Sequence, residues 1–149
     1  MPSNIEIPLE RKSWVLVTLE AAKDEPLTPV QLQKALFLLE KDHPEISGEN
    51  YYSFTPYSYG PFDSSIYTDA GILAKEGYLT IKYSGFSNYR EYKATEKGIE
   101  YAKSIPVNPA IKESINKIVE WVRGLSFQQL IQEIYHKYPD MKVNSVFRD

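Results

Sequence analysis

The spacing of the apolar residues changes near Gly77 from helical to alternating, and it becomes helical again after Ala94. Alternation over residues 78–83 and 89–94, on either side of a five-residue loop, predicts a β-hairpin. Patterns typical of amphipathic helices precede this hairpin and follow it. A hairpin enclosed by helices on both sides restricts the chain to an α+β fold that is mostly helical.

Capping and breaking residues delimit the predicted helices. Thr28 and Gln31 have the spacing of a capping box, in which each side chain bonds a backbone N–H of the other residue. Ser126 and Gln129 repeat that spacing near the end of the chain. The predicted helices cover residues 8–23, 28–42, 61–76, 95–104, 111–124 and 126–138.

With one short strand between the second and third helices, the order of elements resembles that of winged-helix domains, with two further helices appended. Residues 92–98 (Tyr-Lys-Ala-Thr-Glu-Lys-Gly) are similar to the Tyr-x-Leu-Thr-x-x-Gly sequence that follows the wing in many winged-helix regulators. The resemblance implies a winged-helix domain at residues 1–105 and a C-terminal helical extension at residues 106–149 packed on the same core. The appended helices, which carry Trp121 beside an Ile/Val stripe, either cover that core or form a homodimer.

Two further blocks resemble one bacterial family. Residues 32–39 (Leu-Gln-Lys-Ala-Leu-Phe-Leu-Leu) are similar to the Leu-Gln-Lys-Leu-Leu-Tyr helix of the SocA-like (Panacea) antitoxin domains and related bacterial winged-helix proteins. Residues 57–64 (Tyr-Ser-Tyr-Gly-Pro-Phe-Asp-Ser) resemble the Tyr-Gly-Pro block that leads into the third helix of the same group. The resemblance implies a small bacterial or phage regulatory or adaptor domain that binds a protein partner and is not an enzyme.

Composition narrows the function further. The chain has no cysteine and only two histidines, and no spacing typical of a metal site, a phosphate-binding loop or a nucleophile motif is visible. We therefore expect no catalytic residues, no metal and no cofactor. No apolar stretch is long enough to cross a bilayer and the N-terminus lacks a signal-peptide pattern, which favours a cytoplasmic protein without membrane contact.

The aromatic-rich stretch from residue 51 to residue 67 is the main candidate for partner binding. Residues 51–59 predict a strand at a sheet edge, because Pro56 cannot donate to a ladder, and the Gly60-Pro61 pair ends it. Such aromatics either belong to the core and sheet edge or form a recognition surface, for which tyrosine is well suited. The predicted protein-binding residues are Tyr57, Tyr59, Tyr67, Ile72 on the third helix and Phe86 on the hairpin tip.

Sequence-specific DNA binding is the alternative function. The predicted outer face of the third helix would read bases and the hairpin would hold phosphates, through Ser64, Ser65, Thr68, Lys75, Lys82 and Arg90. Against this, the chain carries a net charge of −3, and the third helix has no arginine. Asp63 and Asp69 are predicted to flank the outer face, where they would repel phosphate. A protein partner is therefore favoured over DNA.

Overall fold

The computed structural model describes residues 9–83 and 90–146, which form six helices and two antiparallel hairpins. The helices are α1 (Arg11–Ala22), α2 (Pro29–Asp42), α3 (Ser65–Lys75), α4 (Glu96–Ser104), α5 (Pro109–Arg123) and α6 (Phe127–Lys137). One hairpin joins β1 (Thr55–Tyr57) to β2 (Gly60–Phe62), and the other joins β3 (Leu79–Tyr83) to β4 (Arg90–Ala94). The predicted α+β fold, mostly helical, is confirmed.

The centre of the core is formed by α1 and α2. Every residue of α1 from Ser13 to Leu19 is buried, and so is every residue of α2 from Leu32 to Leu39. Helices that are apolar on most sides are typical of the middle of a core. In agreement with this, α1 packs against α2, α3, α4 and α5.

The last two helices extend the same hydrophobic core. The Ile/Val stripe of α5, which runs from Ile111 to Val122, is buried against α1 and α2. Leu130, Ile131 and Ile134 of α6 are buried as well. The Ile/Val stripe is thus buried by helices of the same chain. The predicted homodimer and the predicted domain boundary between residues 105 and 106 stay predictions.

Both predicted capping boxes are present. The Thr28 hydroxyl accepts a bond from the Gln31 backbone N–H at 3.2 Å, and the Gln31 side chain accepts from the Thr28 N–H at 3.0 Å. Ser126 and Gln129 make the same pair of bonds at 3.1 and 3.0 Å. These reciprocal bonds satisfy backbone donors that a helix start would otherwise leave free, so they define where α2 and α6 begin.

The hairpin of β3 and β4 has the predicted position, and its second strand leads directly into α4. Thr95 accepts a hydrogen bond from Gly98 N–H at 3.0 Å and donates one to the Gly77 carbonyl at 2.7 Å. A Cβ at position 98 would lie 1.8 Å from the Tyr78 carbonyl oxygen, so this close approach of α4 to the hairpin requires glycine. The hairpin tip at residues 84–89, with the predicted binding residue Phe86, lies outside the described residues.

The aromatic segment differs from its prediction. It is not one strand followed directly by a helix: residues 55–57 and 60–62 form a small hairpin of their own, and α3 begins only at Ser65. Gly60 turns the chain with a φ of 99°, a conformation that glycine adopts without strain. Pro56 pairs with Pro61 across the hairpin, so the two residues that lack an N–H face each other. The Gly-Pro pair therefore begins β2 instead of ending the segment.

Candidate functional site

A row of aromatic rings runs along the first hairpin to α3. Tyr57 stacks on Phe62 with ring centroids 4.8 Å apart, and Phe62 meets Tyr67 edge-on at 5.7 Å. Tyr57 is 55% exposed, whereas Tyr67 is half-buried. The structure thus joins two of the predicted binding tyrosines through Phe62, which was not among the predicted binding residues.

Tyr59 lies between β1 and β2 and is 42% exposed. Its ring meets Phe127 at the start of α6 edge-on, with centroids 5.3 Å apart. We use the term tyrosine surface for Tyr57, Tyr59, Phe62 and Tyr67. It combines side chains of one hairpin and one helix, and two of its four members are exposed.

The hairpin that carries this surface is held on one side by α2. The Gln33 side-chain amide donates to the Asp63 carbonyl at 2.9 Å, and its oxygen accepts from the Asp63 N–H at 3.0 Å. Lys34 Nζ donates to the Pro61 carbonyl at 3.0 Å. Residues 32–39 of α2 and residues 57–64 therefore contact each other directly.

The C-terminal segment holds the same hairpin on another side. The Val146 N–H donates to the Ser58 carbonyl at 3.0 Å, and the Asn144 side chain donates to the Pro56 carbonyl at 3.2 Å. Because backbone groups on both sides of the turn are bonded to other elements, the hairpin presents its tyrosines from a fixed position.

A cavity of about 180 Å³ lies between α2 and the first hairpin. Aromatic rings of the tyrosine surface and the side chains of α2 form its walls. The lining residues are Val30, Gln33, Lys34, Tyr57, Ser58, Tyr59, Gly60, Phe62 and Tyr67.

Lys34 is the unusual residue of this cavity. It is only 2% exposed, and among the described residues its amine has one polar partner, the Pro61 carbonyl, and no carboxylate. Burial without a counter-charge lowers the pKa of Lys34 from its ordinary value to about 7. Lys34 was not among the binding residues predicted from the sequence. The signal that could have identified it is a lysine between Leu32 and Leu36 in a helix that is apolar on most sides.

Asp69 does not flank the outer face of α3, which corrects the prediction. It is 5% exposed, and its carboxylate accepts two bonds from Arg11, at 2.8 and 3.1 Å, and one from the Tyr52 hydroxyl at 2.6 Å. Burial and the bond to Asp69 raise the pKa of Tyr52 far above its ordinary value, and the Asp69 bond raises the pKa of Arg11. The group fastens α3 to α1 and to the segment before β1, so its role is structural.

The predicted DNA-binding residues differ in their exposure to solvent. Ser64, Thr68, Lys75 and Lys82 are exposed, and Ser65 is half-buried at the start of α3. Arg90, the predicted phosphate contact, is half-buried instead and lies over the ring of Tyr67 at 4.9 Å from its centroid. Its guanidinium therefore belongs to the edge of the tyrosine surface.

Ile72 is separate from the tyrosine surface. It is 41% exposed, but five helical positions separate it from Tyr67, which corresponds to a rotation of about 140° around α3. The two side chains thus point to different sides of the helix. Of the five predicted protein-binding residues, the structure brings together Tyr57, Tyr59 and Tyr67.

Searches for other kinds of site and for relatives gave negative results. Within residues 9–83 and 90–146, no group of three or more His, Cys, Asp or Glu side chains could hold a metal ion. No helix in that part of the chain has the length and hydropathy to span a bilayer. A scan against models of known protein families gives no match, and a search of curated proteins gives none either.

Proposed function

We propose that the chain is a winged-helix module with two appended helices, and that it acts in the bacterial cytoplasm as a non-catalytic, antitoxin-like regulator or adaptor. Its function is to bind a protein partner, which it either occludes or delivers. The observation that carries this proposal is the tyrosine surface, where Tyr57 and Tyr59 are 55% and 42% exposed on a hairpin fixed by other elements.

Fixed, exposed tyrosines suit a protein interface for two physical reasons. Tyrosine buries a large apolar area while its hydroxyl keeps a polar partner, which is why it is frequent among residues that dominate binding energy. A surface that is already ordered loses little conformational entropy on binding. The bonds of Gln33 to Asp63 and of Asn144 to Pro56 supply that order here.

The proposal predicts that truncating the exposed tyrosines weakens partner binding. The tagged protein would be expressed in its native host, the co-purifying protein identified by mass spectrometry, and its affinity measured by calorimetry with purified components. For the double variant Tyr57→Ala/Tyr59→Ala we expect an affinity at least about tenfold lower than that of the wild type.

Tyr101→Ala is the matched control, because Tyr101 is 43% exposed and also stacks on a neighbouring ring, but lies on α4. Its affinity should equal that of the wild type. Equal binding by the tyrosine double variant would contradict the proposal. Loss of binding in Ile72→Asp alone would move the interface to the outer face of α3.

DNA binding is the second candidate function, because the burial of Asp69 removes one of the two predicted negative charges from the outer face of α3. Its carboxylate is paired with Arg11 inside the protein, so it does not repel phosphate from the exposed Thr68 and Lys75. The test is fluorescence anisotropy with a labelled random-sequence duplex at low and near-physiological salt. From the net charge of −3 we expect no binding at either salt concentration.

Binding of the duplex would give the opposite conclusion. Micromolar binding that falls steeply with salt, and whose log–log salt slope decreases by about 1 in Lys75→Met, would establish the DNA-binding function. Lys103→Met, which removes an exposed lysine on α4, should leave that slope unchanged.

A further inference from the structure

The cavity beside the first hairpin contains a buried amine whose hydrogen bonding the described residues do not complete. A lysine ammonium has three N–H donors, and among the described residues only one of them has an acceptor, the Pro61 carbonyl. An uncharged amide could donate the same bond to Pro61, so holding the hairpin does not require a charge at position 34. Lysine is almost never fully buried without a partner, because removing its charge from water is costly.

The other walls of the cavity indicate what else a ligand must offer. Val30 of α2, together with the rings of Tyr57, Phe62 and Tyr67, provides apolar and aromatic surface. The volume of about 180 Å³ is similar to that of protein cavities of about 150 Å³ that bind benzene. This is the size of a small organic molecule, and it exceeds what a simple inorganic anion would fill.

We propose that this cavity binds a small organic acid, whose carboxylate pairs with Lys34 and whose apolar or aromatic body lies against the tyrosine surface. A carboxylate would complete the hydrogen bonding of the buried amine with a charge-assisted bond, and ring stacking would fix the orientation of the body. The cavity shares Tyr57 and Tyr59 with the proposed protein interface, but the ligand proposal rests on Lys34, and Lys34→Met leaves both tyrosines in place, so the two proposals are tested separately.

The test uses phenylacetate as the probe and phenylacetamide as its neutral isostere, both titrated into the isotope-labelled protein and followed by NMR. We expect saturable shifts confined to α2 and the first hairpin with phenylacetate, and binding at least about tenfold weaker with phenylacetamide. Lys34→Met should lose at least about tenfold in affinity for phenylacetate, whereas Lys103→Met should bind it like the wild type.

A second readout in the wild-type protein keeps the proposal falsifiable if Lys34→Met is poorly folded. The pH titration of the Lys34 side-chain carbon Cε should move to higher pH in saturating phenylacetate, because a bound carboxylate favours the protonated amine. An unchanged titration, no saturable binding at millimolar concentrations, or equal binding by Lys34→Met would each overturn the proposal.

Two further probes test the class of ligand. Inorganic phosphate that binds as tightly as phenylacetate would show a simple anion site and overturn the assignment to organic acids. An acetylated Gly-Gly-Phe peptide that binds more than about tenfold tighter than phenylacetate would assign the carboxylate to a polypeptide terminus and overturn the assignment to a free acid.

Discussion

Replacing Asp69 with alanine is expected to lower the free energy of unfolding by about 3 kcal/mol, because it removes the buried carboxylate that accepts hydrogen bonds from Arg11 and Tyr52. The Tyr52 hydroxyl loses its 2.6 Å bond inside the protein, and the Arg11 guanidinium loses both of its bonds. We place the loss at the lower end for a broken buried ion pair since the Arg11 side chain is 37% exposed and can reach water. Urea unfolding at neutral pH, followed by circular dichroism, measures this change.

Two companion variants test the cause of that loss. Tyr52→Phe removes only one donor and should cost about 1 kcal/mol. Asp24→Ala removes an exposed carboxylate and should stay within about 0.5 kcal/mol of the wild type. A loss below about 1 kcal/mol in Asp69→Ala would contradict the buried network. Because Tyr52 lies three residues before β1, Asp69→Ala is also expected to loosen the hairpin that carries the tyrosine surface.

Features that depend on residues close in the sequence were predictable. The capping boxes at Thr28 and Ser126 involve side chains three positions apart, so the sequence contains the whole interaction. The hairpin of β3 and β4 follows from alternation over a few residues and a short loop. Five of the six helices were accordingly predicted to within a few residues, and with them the mostly helical α+β class.

Features that depend on residues distant in the sequence were not predictable. A polar residue on a helix is normally placed outside, and Asp69 is inside only because Arg11, 58 positions earlier, and Tyr52 supply its bonds. The β1–β2 hairpin was missed since Gly-Pro commonly ends a strand, while here Pro61 faces Pro56 and bonds Lys34. The candidate site was therefore predictable as exposed tyrosines, but its cavity exists only once α2 and the hairpin are packed together.

Raising the pH from about 7 to about 9.5 is expected to stabilise the wild type relative to Lys34→Met by about 3 kcal/mol. The pKa of Lys34 is lowered by burial to about 7 in the folded protein, whereas the unfolded chain has the ordinary lysine pKa of about 10.4. Between these values the unfolded state binds one more proton, so the free energy of unfolding rises with pH by up to about 1.4 kcal/mol per unit. Below about pH 7 Lys34 is protonated in both states, so the full cost of burying its charge lowers the free energy of unfolding.

Subtracting the variant isolates this effect, because Lys34→Met keeps every other titrating group, including the buried Tyr51 and Tyr52, whose pKa values burial raises. The lost bond to Pro61 shifts the variant by an amount that does not change with pH. Urea unfolding of both proteins across this pH range gives the difference, with Lys103→Met as the exposed-lysine control that should follow the wild type. A difference that stays constant within about 0.5 kcal/mol would mean that the amine keeps its proton in the folded state. Saturating phenylacetate should reduce the rise of this difference with pH if its carboxylate pairs with Lys34, because the pairing raises the pKa of the amine, so the same measurement separates the empty cavity from the occupied one.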